Sequence, residues 1–149
     1  MGSTTAAGST LAISAGNPAT EDAAGYAALV YTEVGQIEKI GGLGATFAKV
    51  EFQPLKGAKQ KHKGSVDYGS LAPTMAHDST DAGQTLVRTA SDDATSKLYS
   101  FLVTYPTGEK RYCQGRVFGY PETVEGADSV ITAAPTIEIC TKIVKVAGA

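Results

Sequence analysis

His77, Asp78 and Ser79 supply the three side-chain types of a hydrolytic triad, and Asp92 and Asp93 offer paired carboxylates of the kind that hold a divalent metal. Neither pattern works as it stands. A triad joins residues from distant positions, because neighbours in sequence cannot line up as a proton relay. A calcium loop spaces its oxygen ligands along a longer segment, and no such spacing follows Asp92. His77–Ser79 therefore reads as a polar turn leading into a helix cap, and Asp92–Asp93 as a solvated helix end. The segment from Gly57 to Gly64 has the look of a phosphate loop, but Gly64 is followed directly by Ser65 without the lysine that such a loop needs. Its Lys56, Lys59, Lys61, His62 and Lys63 carry positive charge with no aromatic residue between them for base stacking. The two cysteines, Cys113 and Cys140, and the two histidines are too few and too scattered for a zinc module. The thiols are expected to be reduced, small and buried. No enzyme chemistry, cofactor or metal is expected from these residues.

Charge is distributed unevenly over the 149 residues. The net value is −2, from 13 basic and 15 acidic side chains. Residues 1–38 hold four acidic residues and no basic one, whereas Lys56–Lys63 holds four lysines. An acidic body with one basic loop does not match a protein that grips nucleic acid along a basic face. No run approaches the roughly 20 apolar residues of a membrane span. The absence of a basic segment before Lys39 gives no secretory pattern, Ala6 spoils the myristoylation signal begun by Met1-Gly2, and Asn17 precedes Pro18. Cytoplasmic synthesis is the expectation.

The elements that must position these residues are mostly strands. Residues 1–25, rich in Ala, Gly, Ser and Thr, read as a flexible N-terminal arm. Residues 26–149 read as one β domain. Alternation at 28–37 and again at Ala48, Val50 and Phe52, across Gly41–Gly44, predicts a hairpin. An exposed extended loop is expected over about 54–64, then a strand near Ser65–Leu71. Asp81, with Gln84 three residues on, predicts a helix cap with capping-box character and a helix of about ten residues. Strands follow at 99–105 and 112–120, with Cys113 and Val117 facing away from Tyr112, Phe118 and Tyr120. Further strands are expected near Val130–Ala133 and along Ile137, Ile139 and Ile143. Seven or eight strands and one helix predict a mainly β fold of two packed antiparallel sheets, sandwich or barrel-like, with a short flanking helix.

The ordered set of local patterns adds a resemblance. It runs from Thr10-Leu11-Ala12-Ile13 through Pro18-Ala19-Thr20, Ala23 to Leu29, Val34-Gly35-Gln36-Ile37 and Ile40-Gly41-Gly42. It continues with Lys63-Gly64, Asp67-Tyr68-Gly69, Asp81-Ala82-Gly83-Gln84, Phe101 to Tyr105, the turn at Gly108 and the aromatic strand Tyr112 to Tyr120. This order resembles the major tail tube proteins of long, non-contractile-tailed bacteriophages. The resemblance implies a structural virion protein, made and assembled in the host bacterial cytoplasm, without cofactor or membrane anchor. It implies hexameric rings stacked into a hollow tube around a tape-measure protein, bounded by tail-tip and tail-terminator proteins. Double-stranded DNA would pass through the lumen without sequence-specific binding.

On that basis Lys56, Lys59, Lys61, His62 and Lys63 are expected to contact an acidic surface of the adjacent ring. Glu33, Glu51 and Asp67 are the acidic lumen candidates, since a neutral or acidic wall does not trap DNA by counterion release. Leu11 and Ile13 are expected to belong to an assembly arm. The alternatives are another virion β-protein, such as a head decoration or tail-terminator subunit, and a monomeric carbohydrate- or peptide-binding sandwich using Tyr105, Tyr112 or Tyr120.

Overall fold

The computed structural model describes residues 3–148; Met1, Gly2 and Ala149 lie outside the described residues. In chain order the elements are β1 (Thr10–Ser14), α1 (Ala23–Ala27), β2 (Thr32–Glu33), β3 (Ile37–Lys39), β4 (Thr46–Phe52), β5 (Gln60–Asp67), β6 (Ser70–Leu71) and β7 (Thr74–Ala76). Then come α2 (Ala82–Asp92), β8 (Tyr99–Thr104), β9 (Lys110–Gly119), β10 (Glu122–Thr123), β11 (Thr132–Ala133), β12 (Thr136–Ile139) and β13 (Val144–Val146). They form three antiparallel sheets. A seven-stranded sheet runs β2-β1-β8-β9-β12-β6, with β13 also on β9; a four-stranded sheet runs β10-β11-β7-β3; β4 and β5 pair only with each other. The fold is mainly β, and none of these sheets closes into a barrel.

The core follows from period-two alternation. Leu11 and Ile13 of β1, Phe101 and Val103 of β8, Cys113 and Val117 of β9, and Ile137 and Ile139 of β12 point to one face of the large sheet. Met75 and Ala133 of the four-stranded sheet, and Val87 and Ala90 of α2, close over them. The reverse face of β9 is buried as well. Tyr112 stacks on Tyr26 of α1 with ring centroids 5.3 Å apart, and both rings are buried. The expected division of β9 into a Tyr112 face and a Cys113/Val117 face is present, although Phe118 is exposed.

Five expectations are corrected. Residues 10–14 are not part of a flexible arm. Leu11 and Ile13 are fully buried in their own chain's core, and β1 pairs along its whole length with β8. A segment too poor in apolar residues to fold alone is ordered by the sheet it completes, and α1 follows within the same stretch. The hairpin across Gly41–Gly44 does not form. β3 pairs with β7, and β4 pairs with β5, because the longer ladder of β4 with the eight-residue β5 satisfies more backbone groups. The loop expected at 54–64 is shorter, since Gln60 onward belongs to β5. Ile143 does not continue the strand of Ile137 and Ile139; β12 ends at Ile139 and β13 starts afresh on β9. Short bridging strands escape periodicity, which is why thirteen strands and two helices among the described residues replace the smaller count.

Helix α2 is capped as its sequence predicts. The Asp81 carboxylate accepts from Gln84 N at 2.9 Å. The helix then runs to Asp92, slightly past its expected end. Its second residue, Gly83, lies directly on β2: a Cβ there would collide with the Glu33 carbonyl and Val34 Cα. Alanine normally stabilises a helix over glycine by about 1 kcal/mol. Here the backbone contact reverses the sign, and Gly83→Ala is expected to destabilise the fold by about 1–3 kcal/mol. Equal or higher stability of that variant in urea unfolding would show that β2 yields freely.

Candidate functional site

Strand alternation sets two surface features, and one buried amide supports the second of them. The first is the β4–β5 hairpin, which stands apart from both sheets. Along β4, Phe47, Lys49 and Glu51 share one face; Ala48, Val50 and Phe52 share the other. β5 places Lys61 opposite Glu51 and Lys63 opposite Lys49, whereas His62 faces Val50 and Gln60 faces Phe52. The hairpin therefore has a charged face and an apolar face, both open to solvent. Phe52 is 58% exposed, and Leu55 at the tip is fully exposed. Within the charged face, Glu51 lies 3.3 Å from Lys49 and 3.9 Å from Lys59, and the Lys63 ammonium sits 4.7 Å from the Phe47 ring centroid. A two-stranded ribbon with its apolar side chains in water is marginally stable alone. It is a surface built to be covered.

The second feature is a pair of open sheet edges. Among the described residues, β10 and β3 each pair on one side only, and they are the two ends of the four-stranded sheet. The β3 edge opens into a groove of about 800 Å³ floored by Ile37, Ile40, Leu43, Val103 and Tyr105. Unpaired edges expose backbone donors and acceptors that attract another strand. The outer face of this sheet carries short side chains on β10, β11 and β7, with Lys39 of β3 aligned with Thr74. Thr123 is aligned with Thr132, and Thr132 with Ala76; Thr74 follows on the same face of β7.

A third feature lies beneath the four-stranded sheet and fixes β3 and β7 within it. The Gln84 side chain, fully buried, donates through Nε2 to the Gly35 and Ala76 carbonyls, both at 2.9 Å. Its Oε1 accepts from Asp78 N at 2.9 Å and from the Tyr120 hydroxyl at 3.2 Å. Asp81 also accepts from Gly35 N at 3.0 Å. One amide thus ties the β2–β3 link, the end of β7, the start of α2 and the chain leaving β9. The expected capping box is only half present, because Gln84 turns into this knot rather than back to the Asp81 amide. No local pattern reveals that, since its partners lie up to 49 residues away.

The residues singled out for chemistry are dispersed. Asp78 accepts from the Thr80 hydroxyl and amide, which hold its carboxyl below the usual range. Asp93 is lowered in the same way by Thr95. Both serve as local turn acceptors. Among the described residues, no group of three or more metal-ligating side chains forms. Burial pushes the Cys113 thiol up to about 12, while Cys140 is exposed. The three tyrosines offered as stacking platforms are separated: Tyr112 is buried, Tyr120 is bound to Gln84, and Tyr105 floors the β3 groove with the Arg111 guanidinium 4.9 Å from its ring. Glu33, Glu51 and Asp67 are exposed but do not converge. Glu33 is on β2 of the large sheet; Glu51 and Asp67 sit towards opposite ends of the hairpin. Lys56 and Lys59 lie in the hairpin loop, and Lys61, His62 and Lys63 on β5.

No family model matches the chain, and no curated protein matches it. Solved structures do. A chain of the anti-feeding prophage baseplate, reconstructed with 6-fold symmetry, superposes with a TM-score of 0.70 at 9% identity over 97% of both chains. A chain of the SPP1 tail tube superposes with a TM-score of 0.63 at 13% identity, covering 95% of this chain and 77% of that one. This is the tail-tube fold. It is shared with a chain of the sheath/tube terminator of an extracellular contractile injection system, at a TM-score of 0.63 and 9% identity over 93% of each chain. A tail-tube fold with so little identity means that the packing geometry, rather than any residue motif, is what these chains have in common.

Proposed function

We propose that this protein is a structural, non-enzymatic subunit of a phage tail, forming rings that stack into a tube. The observation that carries this reading is the four-stranded sheet with both edges open. β10, β11, β7 and β3 alternate in direction. Because the count is even, a rotated copy brings its β10 antiparallel to β3, and the alternation continues through every junction. Six copies of four strands make twenty-four. At ~4.8 Å per strand the circumference is roughly 115 Å before tilt. That corresponds to a backbone diameter of roughly 40 Å or more, wide enough for a nucleic-acid duplex. Closure also removes both edges.

In such a ring the outer face of the four-stranded sheet lines the lumen, with Thr74, Ala76, Thr123 and Thr132. Apart from Lys39 of β3, aligned with Thr74, that wall is made of short uncharged side chains, so it offers DNA few cations to grip by counterion release. Glu33, Glu51 and Asp67 lie off this sheet, so a lining of mostly short, uncharged side chains replaces the acidic one in the proposal. The β4–β5 hairpin reaches the next ring, with its lysines on an acidic surface and its apolar face against the neighbour. Tape-measure, tail-tip and tail-terminator proteins are the partners this reading requires, in a virion assembled inside the host cytoplasm.

Negative-stain microscopy of concentrated protein tests the reading directly. Hollow tubes with a regular axial repeat are expected. Closed rings that never stack would instead favour a terminator subunit, a second reading supported by the sheath/tube terminator likeness. A chain that stays monomeric at every concentration would end both. In tubes, changing Lys59, Lys61 and Lys63 to Glu is expected to shorten or abolish stacking while the melting temperature stays within a few degrees, as for exposed surface charges. Normal tube yield from that variant removes the lysines from the contact.

A further inference from the structure

The four-stranded sheet has two different ends. β3 runs towards Lys39, which is aligned with Thr74, the first residue of β7. From there the chain enters the β4–β5 hairpin at Thr46, and after β5 and β6 it returns to the sheet at Thr74. The outgoing and returning segments run close together, since a Cβ on Gly41 would meet the Ala72 amide nitrogen at 3.3 Å. The hairpin is therefore rooted at this end. The other end is marked by Ala76 aligned with Thr132, and Thr132 with Thr123. There the chain leaves β10 and comes back as β11, so residues 124–131 project from the end opposite the hairpin's root.

The β10–β11 loop is acidic, apolar and anchored. Pro121 O accepts from Ala134 N at 3.1 Å, Ile131 O accepts from His77 N at 2.8 Å, and a Ser129–Gly126 backbone bond turns the tip. Val124 is 71% exposed and Val130 67%, and Ile131 is exposed beside them. Residues 121–131 hold Glu122, Glu125 and Asp128 and no basic residue. The hairpin has the opposite balance. Residues 46–67 hold five lysines against Glu51 and Asp67, and Phe52 and Leu55 are exposed. Two exposed apolar surfaces of opposite charge suit each other. A second acidic pair, Glu21 and Asp22, fits less well, because Asp22 is engaged in capping α1 and accepts from Gly25 N at 2.8 Å.

We infer that the surface receiving the hairpin is the β10–β11 loop of a second copy of this chain, in the next ring. Phe52 and Leu55 pack on Val124, Val130 and Ile131, and Lys56 and Lys59 at the tip face Glu125 and Asp128. The inference rests on the stacked-ring reading above and adds the acceptor. It also gives the stack a polarity. Each ring carries hairpins rooted at one end and acceptor loops at the other, so the contact is head-to-tail and repeats along the axis without closing. Glu125 and Asp128 lie beyond β10, so the β10 edge stays free for the neighbour in its own ring.

Charge exchange tests it in the full chain. Lys56, Lys59, Glu125 and Asp128 are all exposed, so Lys56→Glu/Lys59→Glu and Glu125→Lys/Asp128→Lys are expected to keep the parental melting curve. Both are expected to form rings, because neither alters a strand of the ring junction. Each sets like charges at every hairpin tip, and repetition of the contact around the ring multiplies the loss. The concentration needed for stacking is expected to rise on the order of tenfold or more. The fourfold variant restores opposite charges and is expected to form tubes again. Sedimentation velocity reads the rings, and negative-stain microscopy reads the tubes.

A second measurement needs no variant. Carbodiimide coupling of parental tubes, read by mass spectrometry, is expected to join Lys56 or Lys59 to Glu125 or Asp128. Coupling to Glu21 or Asp22 instead would move the contact to the surface beside α1 and overturn the inference. If the parent chain forms tubes and Glu125→Lys/Asp128→Lys forms them equally well, the acceptor is wrong and the stacked-ring reading stands. If both paired variants lose stacking and the fourfold variant does not recover it, hairpin tip and loop do not meet. If the parent chain never stacks, the tube reading fails and takes the acceptor with it.

Discussion

Gln84→Leu is expected to be the most damaging single substitution in the fold, lowering unfolding free energy by about 3–6 kcal/mol. Leucine nearly fills the same volume, so cavity formation is a minor part of the effect. What is lost is pairing. The Gly35 and Ala76 carbonyls and the Asp78 amide each lose their hydrogen bond to this side chain. A buried backbone group left unpaired costs about 1–3 kcal/mol. Against a typical domain stability of about 5–15 kcal/mol, the loss is severe. In a chain of this length the melting temperature is expected to fall by about 10 °C or more. Asp81→Ala removes the cap and one bond to Gly35 and is expected to do less, about 1–2 kcal/mol. Urea unfolding of the two variants reads both numbers. A Gln84→Leu chain with the parental midpoint would mean that the knot holds nothing together.

The second large effect is expected on assembly rather than stability. Val50→Asp combined with Phe52→Asp changes two side chains that are about half exposed in the single chain. Surface changes of this kind usually alter folding by within about 0.5 kcal/mol. If the hairpin is covered in the tube, the same changes place two carboxylates in an apolar contact. They forgo about 1–2 kcal/mol of burial per residue and add the penalty of desolvating an unpaired charge. Tube growth is expected to be lost while rings and the melting curve survive. The apolar face should matter more than the lysines, because exposed ion pairs contribute only about 0–1 kcal/mol. Tubes of normal length from the doubly substituted chain would place the hairpin outside the stacking contact.

These two sites were not equally legible. The hairpin strands were half visible, because Ala48, Val50 and Phe52 alternate with Lys49, Glu51 and Gln53. Their pairing was not. A two-residue period says which side chains share a face but not which strand lies opposite, and Gly41–Gly44 suggested a turn that long-range pairing overruled. The lysines stand out in the sequence as a charge cluster, yet only the β4–β5 register divides the hairpin into a charged side and an apolar side. Gln84 was seen as a capping residue, which is a local role. Its partners at Gly35, at Ala76 and Asp78, and at Tyr120 come from three separate segments, and no local spacing links them.

By itself the amino-acid sequence determined the mainly β class and the capped helix from Asp81. It also carried the resemblance to tail tube proteins. These follow from residue type and short spacing, which local geometry converts directly into structure. Only the tertiary structure decided that Leu11 and Ile13 belong to their own core, that Tyr112 is buried rather than presented, and that one four-stranded sheet ends in two open edges. Those outcomes depend on which distant strands find each other. That choice is made by the total apolar area buried and the total backbone pairing satisfied, and neither quantity is a property of any one segment.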